Sequence, residues 1–325
     1  MSLNDFKFQL QKLPPLKADF TGKTVIVVGS NTGLGKEAVR HFVRLNASKV
    51  IIAVRSISKG KAAQEDIETS TYRHGVTEVW EIDLARSASV KEFAARVAAL
   101  PRVDAVVANA SVATAKLEIL EENESMVTVN VINTMLLVLL LVPILQVSAL
   151  KWNIVPVISV VSSDIHSWTK FPAWKAPNIL EAIKTNMKNG IPEMEGYAVS
   201  KLMQIFAVRE IAARMTKENI KVALNVINPG LAKTELARHA TGVSKIGMMV
   251  AHALLARTAE EASKTLVYAA SVGMESHGLY FTNSDVTNPL SDFVTSKDGG
   301  KAQNKLWGEL EERFEKIQPG IMATL

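Results

Sequence analysis

The chain has 325 residues, 48% of them apolar and 21% charged, a composition that suits one large globular domain with a sizeable core. It contains no cysteine, which excludes disulfides and thiolate metal sites, and we expect no bound metal. The net charge of +5 is modest and its cations are interspersed with carboxylates, so we expect no nucleic-acid partner. The first residues lack the long apolar core of a secretory signal, and we expect a cytoplasmic protein.

Taken in chain order, short apolar runs rich in β-branched residues alternate with helix-like stretches. The runs predict strands at 24–28, 49–54, 78–82, 103–108, 154–161, 221–227 and 278–281. The intervening stretches predict helices at 36–46, 58–70, 88–100, 123–150, 196–217 and 258–272. Unbroken apolar strands separated by helices are typical of a parallel sheet covered on both faces, so we predict an α/β fold with a doubly wound parallel sheet.

The stretch VVGSNTGLGKEAV, residues 27–39, follows the first predicted strand. It is not a P-loop, because that motif needs a serine or threonine after the lysine to hold magnesium, and Glu37 stands there. Its glycines suit a dinucleotide loop: Gly29 for the turn, Gly33 for close approach of the backbone to a pyrophosphate, and Gly35 for helix packing. A plain tight turn is the alternative.

Residues 131–150 are apolar over nearly the length of a membrane span. Asn133, Pro143 and Gln146 interrupt the run, and the basic clusters that orient membrane helices do not flank it. We therefore expect a buried core or interface helix and no membrane span.

Further residues whose side chains can take part in catalysis follow the fifth strand. In YAVSK, Tyr197 and Lys201 are four residues apart, which places both on one face of a helix. The preceding strand ends in Ser162 and Ser163, at the carboxyl edge where open α/β sheets bind ligands. The strand after the tyrosine helix leads into a turn that can wrap the far end of a cofactor: Asn228-Pro229-Gly230, then Leu231 and Thr234.

These motifs together resemble the short-chain dehydrogenase/reductase family from about residue 22 to residue 282: GSNTGLGKE, EIDLARS, VVANAS and YAVSK. GSNTGLGKE and YAVSK are similar to those of the branch that contains retinol dehydrogenases and many fungal natural-product reductases. The resemblance implies a Rossmann-type sheet, a nicotinamide cofactor on the Gly29–Gly35 loop, and interconversion of a carbonyl and an alcohol.

Carried over by position, the resemblance implies four catalytic residues. Tyr197 is the general acid/base, and because a free phenol titrates at about pH 10 it needs a neighbouring positive charge. Lys201 lowers the pKa of Tyr197 and also holds the nicotinamide ribose. Ser163 hydrogen-bonds the substrate oxygen, with Ser162 as the alternative one position away. Asn130 holds, through its backbone carbonyl, a water that passes protons to Lys201.

The resemblance also implies a set of cofactor contacts. Asp83 and Leu84 would flank the adenine, although Asp83 by itself also suits a helix cap. The full set lies on the glycine loop, after the third and fourth strands, on the tyrosine helix and on the turn after the sixth strand: Gly29, Ser30, Asn31, Gly33, Leu34, Gly35, Asp83, Leu84, Asn109, Ala110, Tyr197, Lys201, Pro229, Gly230, Leu231 and Thr234.

Two positions depart from the family pattern. Ser111 stands where the family prefers glycine, so we expect either a shifted loop or a weaker affinity for the cofactor. Asn133 stands in a helix where the family often has glycine.

The end of the second strand predicts which nicotinamide cofactor is bound. NAD enzymes place a carboxylate there to accept the ribose hydroxyl, and that carboxylate would repel a 2′-phosphate. No acidic residue occurs from Ala53 to Lys61, and Arg55 can grip a phosphate with its guanidinium. We therefore predict NADP(H), with Arg55 as a further cofactor-binding residue.

We predict one Rossmann-type domain over 21–283, an N-terminal extension at 1–20 and a C-terminal extension at 284–325. The C-terminal extension ends in an amphipathic helix at 301–317, which docks on the body or on a partner subunit. The resemblance implies that the helices at 123–150 and 196–217 form a dimer interface, so we expect a homodimer or homotetramer.

An insertion at 164–196 separates the serine pair from the tyrosine. Its aromatic residues Trp168, Phe171 and Trp174 suit either a lid over a bulky apolar substrate or a loop pinned to the body by those aromatics. The segment 231–257 is a second candidate for a substrate lid.

We expect an NADP(H)-dependent oxidoreductase that reduces a ketone or aldehyde of a medium to large apolar small molecule in secondary-metabolite biosynthesis. Two alternatives stay open. One is a family member whose redox activity is lost or redirected to a cyclisation or isomerisation, which Ser111 motivates and the intact Ser163, Tyr197 and Lys201 oppose. The other is a regulatory protein that senses NADPH and uses its C-terminal tail as the contact surface.

Overall fold

A parallel β-sheet organises the chain. The computed structural model describes residues 9, 11–114, 116–233, 256–283 and 290–325. The strands in these residues are β1 Thr24–Val28, β2 Lys49–Val54, β3 Thr77–Glu81, β4 Ala105–Ala108, β5 Ile119–Leu120, β6 Asn123–Glu124, β7 Val157–Val161, β8 Ala223–Asn228 and β9 Tyr280–Thr282. Seven of them pair in the order β3-β2-β1-β4-β7-β8-β9, and β5 and β6 form a separate antiparallel hairpin. Every pair in the large sheet is parallel, which confirms the predicted sheet.

Helices connect the strands and cover both faces of the sheet. In the described residues they are α1 Gly33–Arg44, α2 Ile57–Thr71, α3 Ser87–Ala98, α4 Asn133–Trp152, α5 Ile179–Lys188, α6 Glu193–Lys217, α7 Ala259–Ala269, α8 Asp292–Thr295 and α9 Lys297–Ile317. Val25 and Val27 of β1 pack in one apolar core with Phe42 of α1, whereas Ile26 and Val28 pack in the other core. Adjacent residues of a strand point to opposite faces, so this burial explains the unbroken apolar strands.

The chain order reverses at β1. Strands β2 and β3 extend the sheet on one side of β1, and β4, β7, β8 and β9 extend it on the other. Open α/β sheets bind ligands in the crevice at this switch point, beyond the carboxyl ends of the strands. Residues expected in the site lie one or two positions after those ends: Gly29, Arg55, Asp83, Asn109 and Ser162.

The apolar segment near residue 140 is a core helix. The predicted helix at 123–150 consists of strand β6, a π-helical segment Val127–Ile132 and then α4. Among the described residues, Val127–Trp152 is the helical stretch that is long and apolar enough to cross a membrane, and 83% of its most apolar window is buried inside the fold. That burial matches the core-helix interpretation of the sequence.

The C-terminal helix α9 lies against α6 of the same chain. Arg214 of α6 forms an ion pair with Glu311 at 3.0 Å, and its guanidinium stacks over Trp307 at 5.0 Å from the ring centroid. One turn earlier, Gln303 donates to Glu210 at 2.5 Å. This face of α6 is therefore covered within the chain. The predicted homodimer or homotetramer stays a prediction.

The insertion before the tyrosine helix is tied to the same C-terminal helix. Glu309 of α9 accepts hydrogen bonds from the backbone nitrogens of Ile179 at 2.7 Å and Leu180 at 3.0 Å, at the start of α5. Phe171 is fully buried and packs near Phe206 of α6, with ring centroids 6.3 Å apart. These contacts favour a loop pinned to the body, by Phe171 and Glu309, over an open lid, whereas Trp168 is exposed.

Candidate active site

The glycine loop between β1 and α1 packs too tightly for any other residue. Gly29 has φ +75°, and a Cβ there would lie 2.7 Å from the Cα of Ala110. A Cβ at Gly35 would lie 2.4 Å from the carbonyl oxygen of Gly29. Gly33, with φ +57°, begins α1 in the left-handed region that favours glycine. The roles predicted for Gly29 and Gly35, the turn and the close helix packing, match this geometry.

The N-terminus of α1 is open toward the carboxyl edge of the sheet. Thr32 occupies the N-cap position without a side-chain hydrogen bond, and the first turn of α1 carries no acidic residue. The first backbone N–H groups of a helix need acceptors, and together with the helix dipole they bind anions. Lys36 is paired with Asp66 of α2 at 2.8 Å, so it is not the phosphate-binding lysine of a P-loop.

The segment 109–112 after β4 joins the glycine loop to the tyrosine helix. Asn109 donates to the carbonyl oxygen of Gly29 at 2.9 Å. Ser111 accepts a hydrogen bond from Lys201 Nζ at 2.9 Å. Val112 exchanges two hydrogen bonds of 2.8 Å with the side-chain amide of Asn130.

Lys201 is fully buried, and its ammonium is surrounded by three acceptors. Nζ donates to the carbonyl oxygen of Val161 at 2.8 Å, to Ser111 Oγ at 2.9 Å and to Gln204 Oε1 at 3.1 Å. An ammonium has three hydrogens, so these bonds use all of them. Burial lowers the pKa of Lys201 to about 7, while the three acceptors favour the charged form and oppose that shift.

Tyr197 lies one turn before Lys201 on α6, with only 8% of its surface exposed. Burial and the nearby carboxylate of Asp164 raise the pKa of its phenol, and a hydrogen bond with Ser111 acts in the opposite direction. The expectation that Lys201 lowers this pKa directly therefore differs from the structure. The physical reason is that the Lys201 ammonium bonds to Ser111 and lies 5.4 Å from the centroid of the tyrosine ring.

The carbonyl of Asn130 contacts a side chain where the resemblance implied a water. Gln204 Nε2 donates to that carbonyl oxygen at 2.6 Å, and Gln204 Oε1 accepts from Lys201. Asn130 is fully buried and its amide holds Val112. Sequence reasoning missed Gln204, although its position three residues after Lys201 on the same helix could have indicated it.

The two serines after β7 have different environments. Ser162 is buried and donates to the backbone carbonyl of Lys201 at 3.0 Å, so its hydroxyl serves to fix the strand end to α6. Ser163 is partly exposed and donates to Asp164 at 3.2 Å, beside the segment that packs on Tyr197. The structure therefore favours Ser163 over Ser162 as the residue that meets a substrate.

The residues expected beside the adenine form a well-bonded turn after β3. Asp83 Oδ1 accepts from the backbone nitrogen of Ala85 at 3.0 Å, and Leu84 is buried. Asn133, a departure from the family pattern, donates to the carbonyl of Leu84 at 2.8 Å and accepts from Ser87 at 2.8 Å. Its side chain thus stabilises, from the neighbouring helix, the turn that is expected to lie beside the adenine.

The end of β2 presents an exposed cation. Arg55 is exposed, and it forms no hydrogen bond or ion pair with the part of the chain that the structure describes. Ser56 follows it and caps α2, accepting from the backbone nitrogen of Lys59 at 3.5 Å. The neighbourhood of Arg55 suits an anionic group from outside the chain.

The turn after β8 is held by the N-terminal extension. The backbone nitrogen of Gly230, which has φ +72°, donates to Asn228 Oδ1 at 3.1 Å. Gln9 bonds to the backbone nitrogen and oxygen of Leu231 at 2.9 and 2.8 Å, a contact that sequence reasoning missed. Thr234 and most of the predicted lid at 231–257 lie outside the described residues.

Comparison with known proteins assigns the family. A sequence profile described as short chain dehydrogenase matches residues 23–177. The chain is 41% identical over 318 residues to the short chain dehydrogenase/reductase dmxR8 of Cryptosporiopsis, covering 97% of each chain. It is 39% identical to the short-chain dehydrogenase anuD of Penicillium roqueforti, covering 98% of this chain and 84% of that protein. The chain therefore belongs to the short-chain dehydrogenase/reductase family of oxidoreductases.

Solved structures share the fold. A 3-ketoacyl-(acyl-carrier-protein) reductase from Brucella melitensis, complexed with NADH, matches with a TM-score of 0.61 and 18% identity, covering 81% of this chain and 97% of that one. Other solved structures of this fold are complexes with NADP or NADPH. At such low identity the match shows the fold alone.

The buried lysine predicts how stability depends on pH. The pKa of Lys201 falls from an ordinary value of 10.5 to about 7 in the fold. Between these values the unfolded chain binds more protons, so the free energy of unfolding rises with pH, by up to about 1.4 kcal/mol per pH unit from this group. The contribution is complete above the unfolded pKa and is lost as the pH falls through the folded pKa.

Denaturant unfolding of the wild type and of Lys201→Met, between about pH 7.5 and about pH 9, measures this contribution. The difference in unfolding free energy, wild type minus variant, should increase with pH, because only the wild type carries the titrating amine. A difference that is constant with pH would show that Lys201 keeps its ordinary pKa.

Proposed function

We propose that this oxidoreductase reduces the carbonyl group of a medium to large apolar molecule, with NADPH as the hydride source. The observation that carries the proposal is the state of Tyr197. A phenol titrates at about pH 10, so Tyr197 keeps its proton at neutral pH, and burial and Asp164 raise its pKa further. A protonated phenol is a proton donor, which suits the reduction of a carbonyl better than the oxidation of an alcohol.

When bound, the reduced cofactor supplies the hydride that goes to the carbonyl carbon. Tyr197 donates its phenolic proton to the carbonyl oxygen, and the hydroxyl of Ser163 hydrogen-bonds the same oxygen and orients it. Through its three acceptors, Lys201 fixes the end of β7 and the segment after β4 relative to α6. These residues therefore bind, orient and protonate the substrate, and the buried surroundings of Tyr197 exclude bulk water.

The residues at the carboxyl edge fit a dinucleotide. The uncapped N-terminus of α1 and the glycine loop offer backbone N–H groups to a pyrophosphate. Arg55 offers at the end of β2 a guanidinium that no described residue pairs with, and no carboxylate competes for it from Ala53 to Lys61. That combination supports NADP(H) over NAD(H), because a 2′-phosphate pairs with arginine and is repelled by a carboxylate.

The surroundings of Tyr197 support an apolar substrate. Tyr197 shares a small apolar cluster with Met126, Ile165 and Met187, against which further apolar side chains pack from the segments near 112 and 191. Methionine side chains are flexible and adapt to irregular apolar shapes. The resemblance to fungal natural-product reductases keeps a place in secondary-metabolite biosynthesis as a prediction.

Arg55 predicts the cofactor preference. The wild type should bind NADPH at least about tenfold more tightly than NADH, a difference of about 1.4 kcal/mol, because only NADPH carries the 2′-phosphate. Arg55→Glu should reverse that order, since a carboxylate repels the phosphate and accepts the ribose hydroxyl. Titration calorimetry with both cofactors measures the two affinities.

Lys217→Glu is the matched control, because it makes the same charge reversal on an exposed residue at the far end of α6. This control should keep the wild-type preference. Equal affinities of the wild type for NADPH and NADH would contradict the assignment of Arg55.

Tyr197→Phe tests the proposed chemistry. The substitution removes one oxygen and keeps the ring, so the fold and the affinity for NADPH should survive. Turnover of a ketone or aldehyde from a substrate panel, followed by NADPH absorbance, should fall by ~10²–10⁴, the usual effect of losing a general acid. Tyr268→Phe is the matched control and should keep activity, because Tyr268 is partly buried against the core on the opposite face of the sheet.

Suppose that Tyr197→Phe instead forms product at the wild-type rate. The proton would then come from another group, and the proposed reduction by Tyr197 would be wrong.

A further inference from the structure

The C-terminal helix α9 supplies a cap to the first turn of α5. Glu309 accepts hydrogen bonds from the backbone nitrogens of Ile179 and Leu180, which lie 130 and 129 positions away in the sequence. Asn178 accepts from the next free amide, that of Glu181, at 2.8 Å. The first N–H groups of a helix have no partner within the helix, and the helix dipole favours a carboxylate beside them. Glu309 therefore stabilises the start of α5 from a distant helix.

The same face of α9 also holds the residues just before α5. Lys305 lies one turn before Glu309, and its ammonium donates to the backbone carbonyl oxygens of Trp174, at 3.4 Å, and Ala176. The lysine thus donates to carbonyls and the glutamate accepts from amides, and hydrogen bonds to charged groups are stronger than those between neutral groups. We call Lys305 and Glu309 the α9 clamp, because together they hold the backbone of residues 174–180.

The other end of α5 contributes to the surroundings of Tyr197. Met187, near the end of α5, is buried in the apolar cluster that contains Tyr197 and Met126. A Cβ at Gly196, the residue before the tyrosine, would lie 3.0 Å from Sδ of Met187 and 2.7 Å from Cε of Met126. The two methionines therefore close over the helix directly beside Tyr197. The position of α5 determines how much apolar space is left there.

Helix α9 also holds the segment that leads to the second methionine. Arg313 and Lys316, further along α9, pair with Glu122 at 2.5 and 3.0 Å. Glu122 lies in the turn of the β5–β6 hairpin, and Met126 follows that hairpin. The carboxylate of Glu122 is largely exposed, so these ion pairs contribute little by themselves. The main constraint that α9 places on the cluster therefore acts through α5.

We propose that Lys305 and Glu309 are positioning residues that set the affinity for the substrate, because they hold α5 where Met187 shapes the apolar space beside Tyr197. This inference rests on the proposed function, in which Tyr197 protonates the carbonyl oxygen of an apolar molecule. Both residues of the clamp act through α5 and take no part in the chemical step.

The clamp predicts a particular kinetic signature. If a substrate binds only when α5 is in place, its apparent affinity is reduced by the fraction of molecules in that state. Loss of the clamp lowers that fraction, so KM rises, whereas saturating substrate restores the state and with it kcat. General destabilisation would instead remove active enzyme, which lowers kcat and leaves KM unchanged. The separate changes in KM and kcat therefore distinguish positioning from stability.

Glu309→Ala tests the clamp. The probe is the apolar ketone benzylacetone or, should the wild type prefer another apolar ketone of the substrate panel, that ketone. With saturating NADPH, its KM should rise by at least ~5-fold while kcat stays within about twofold of the wild type. Glu309→Gln keeps an acceptor oxygen and should restore most of the wild-type KM. The affinity for NADPH should not change, because Glu309 bonds to α5 and not to the residues expected to hold the cofactor.

Glu311→Ala is the matched control. It removes a carboxylate two positions away on the same helix, and that carboxylate pairs with Arg214 of α6 and not with α5. This variant should keep the wild-type KM. Lys305→Met removes the other charge of the clamp and keeps an apolar stem, so it is a second variant should Glu309→Ala fold poorly, and it should also raise KM.

Hydrogen exchange gives a readout that needs no turnover. Loss of Glu309 leaves the amides of Ile179 and Leu180 without an acceptor, so peptides that cover residues 176–190 should exchange faster in Glu309→Ala than in the wild type. Peptides from α7, on the opposite face of the sheet, should exchange at the wild-type rate. Unchanged exchange at 176–190 would show that α5 is held without the clamp and would overturn the inference.

The kinetic outcomes separate this inference from the proposed function. If the wild type reduces the ketone and both Glu309→Ala and Lys305→Met keep its KM, or lose kcat alone, the reduction stands and the clamp is wrong. If the wild type reduces no ketone or aldehyde of the panel, or if Tyr197→Phe is as active as the wild type, the proposed function fails and the inference fails with it.

Discussion

The burial of the Lys201 ammonium is the constraint on which the active site depends. A charge inside a protein loses its hydration, and it is tolerated there when hydrogen-bond acceptors replace the water. The three acceptors come from three places: the end of β7, the segment after β4, and the next turn of α6. One side chain thus fixes two strand ends and a helix relative to each other. The position of Tyr197, one turn earlier on α6, follows from the same contacts.

The segment 109–112 links the surroundings of Lys201 to the glycine loop between β1 and α1. Asn109 bonds to Gly29, and Ala110 packs so closely on Gly29 that any side chain there would collide. Asn130 forms a hydrogen bond with Val112, and Lys201 forms one with Ser111. The place expected to bind a dinucleotide and the place expected to protonate a substrate are therefore joined by four consecutive residues, at the switch point of the sheet.

Sequence patterns predicted the parts of this arrangement that are local. Apolar runs indicated the seven strands, and the four-residue spacing of Tyr197 and Lys201 placed both on one face of α6. The part that depends on distant contacts was not predicted. From the sequence, Ser111 was expected to disturb the loop, because only the space that its side chain takes up near the backbone could be considered. Its hydrogen-bond partner Lys201 is 90 positions away in the sequence. The bond from Gln204 to the carbonyl of Asn130 spans 74 positions, and the pairing of α9 with α6 spans more than 90.

A crystal structure of the wild-type protein with NADP⁺ bound tests the central claim most directly, that these residues form one cofactor and proton-transfer site. The account predicts the pyrophosphate at the N-terminus of α1 and the 2′-phosphate at Arg55. It also predicts that Lys201 Nζ keeps its hydrogen bond to the carbonyl oxygen of Val161. A structure in which the pyrophosphate lies away from the N-terminus of α1, or in which the 2′-phosphate does not contact Arg55, would contradict the account.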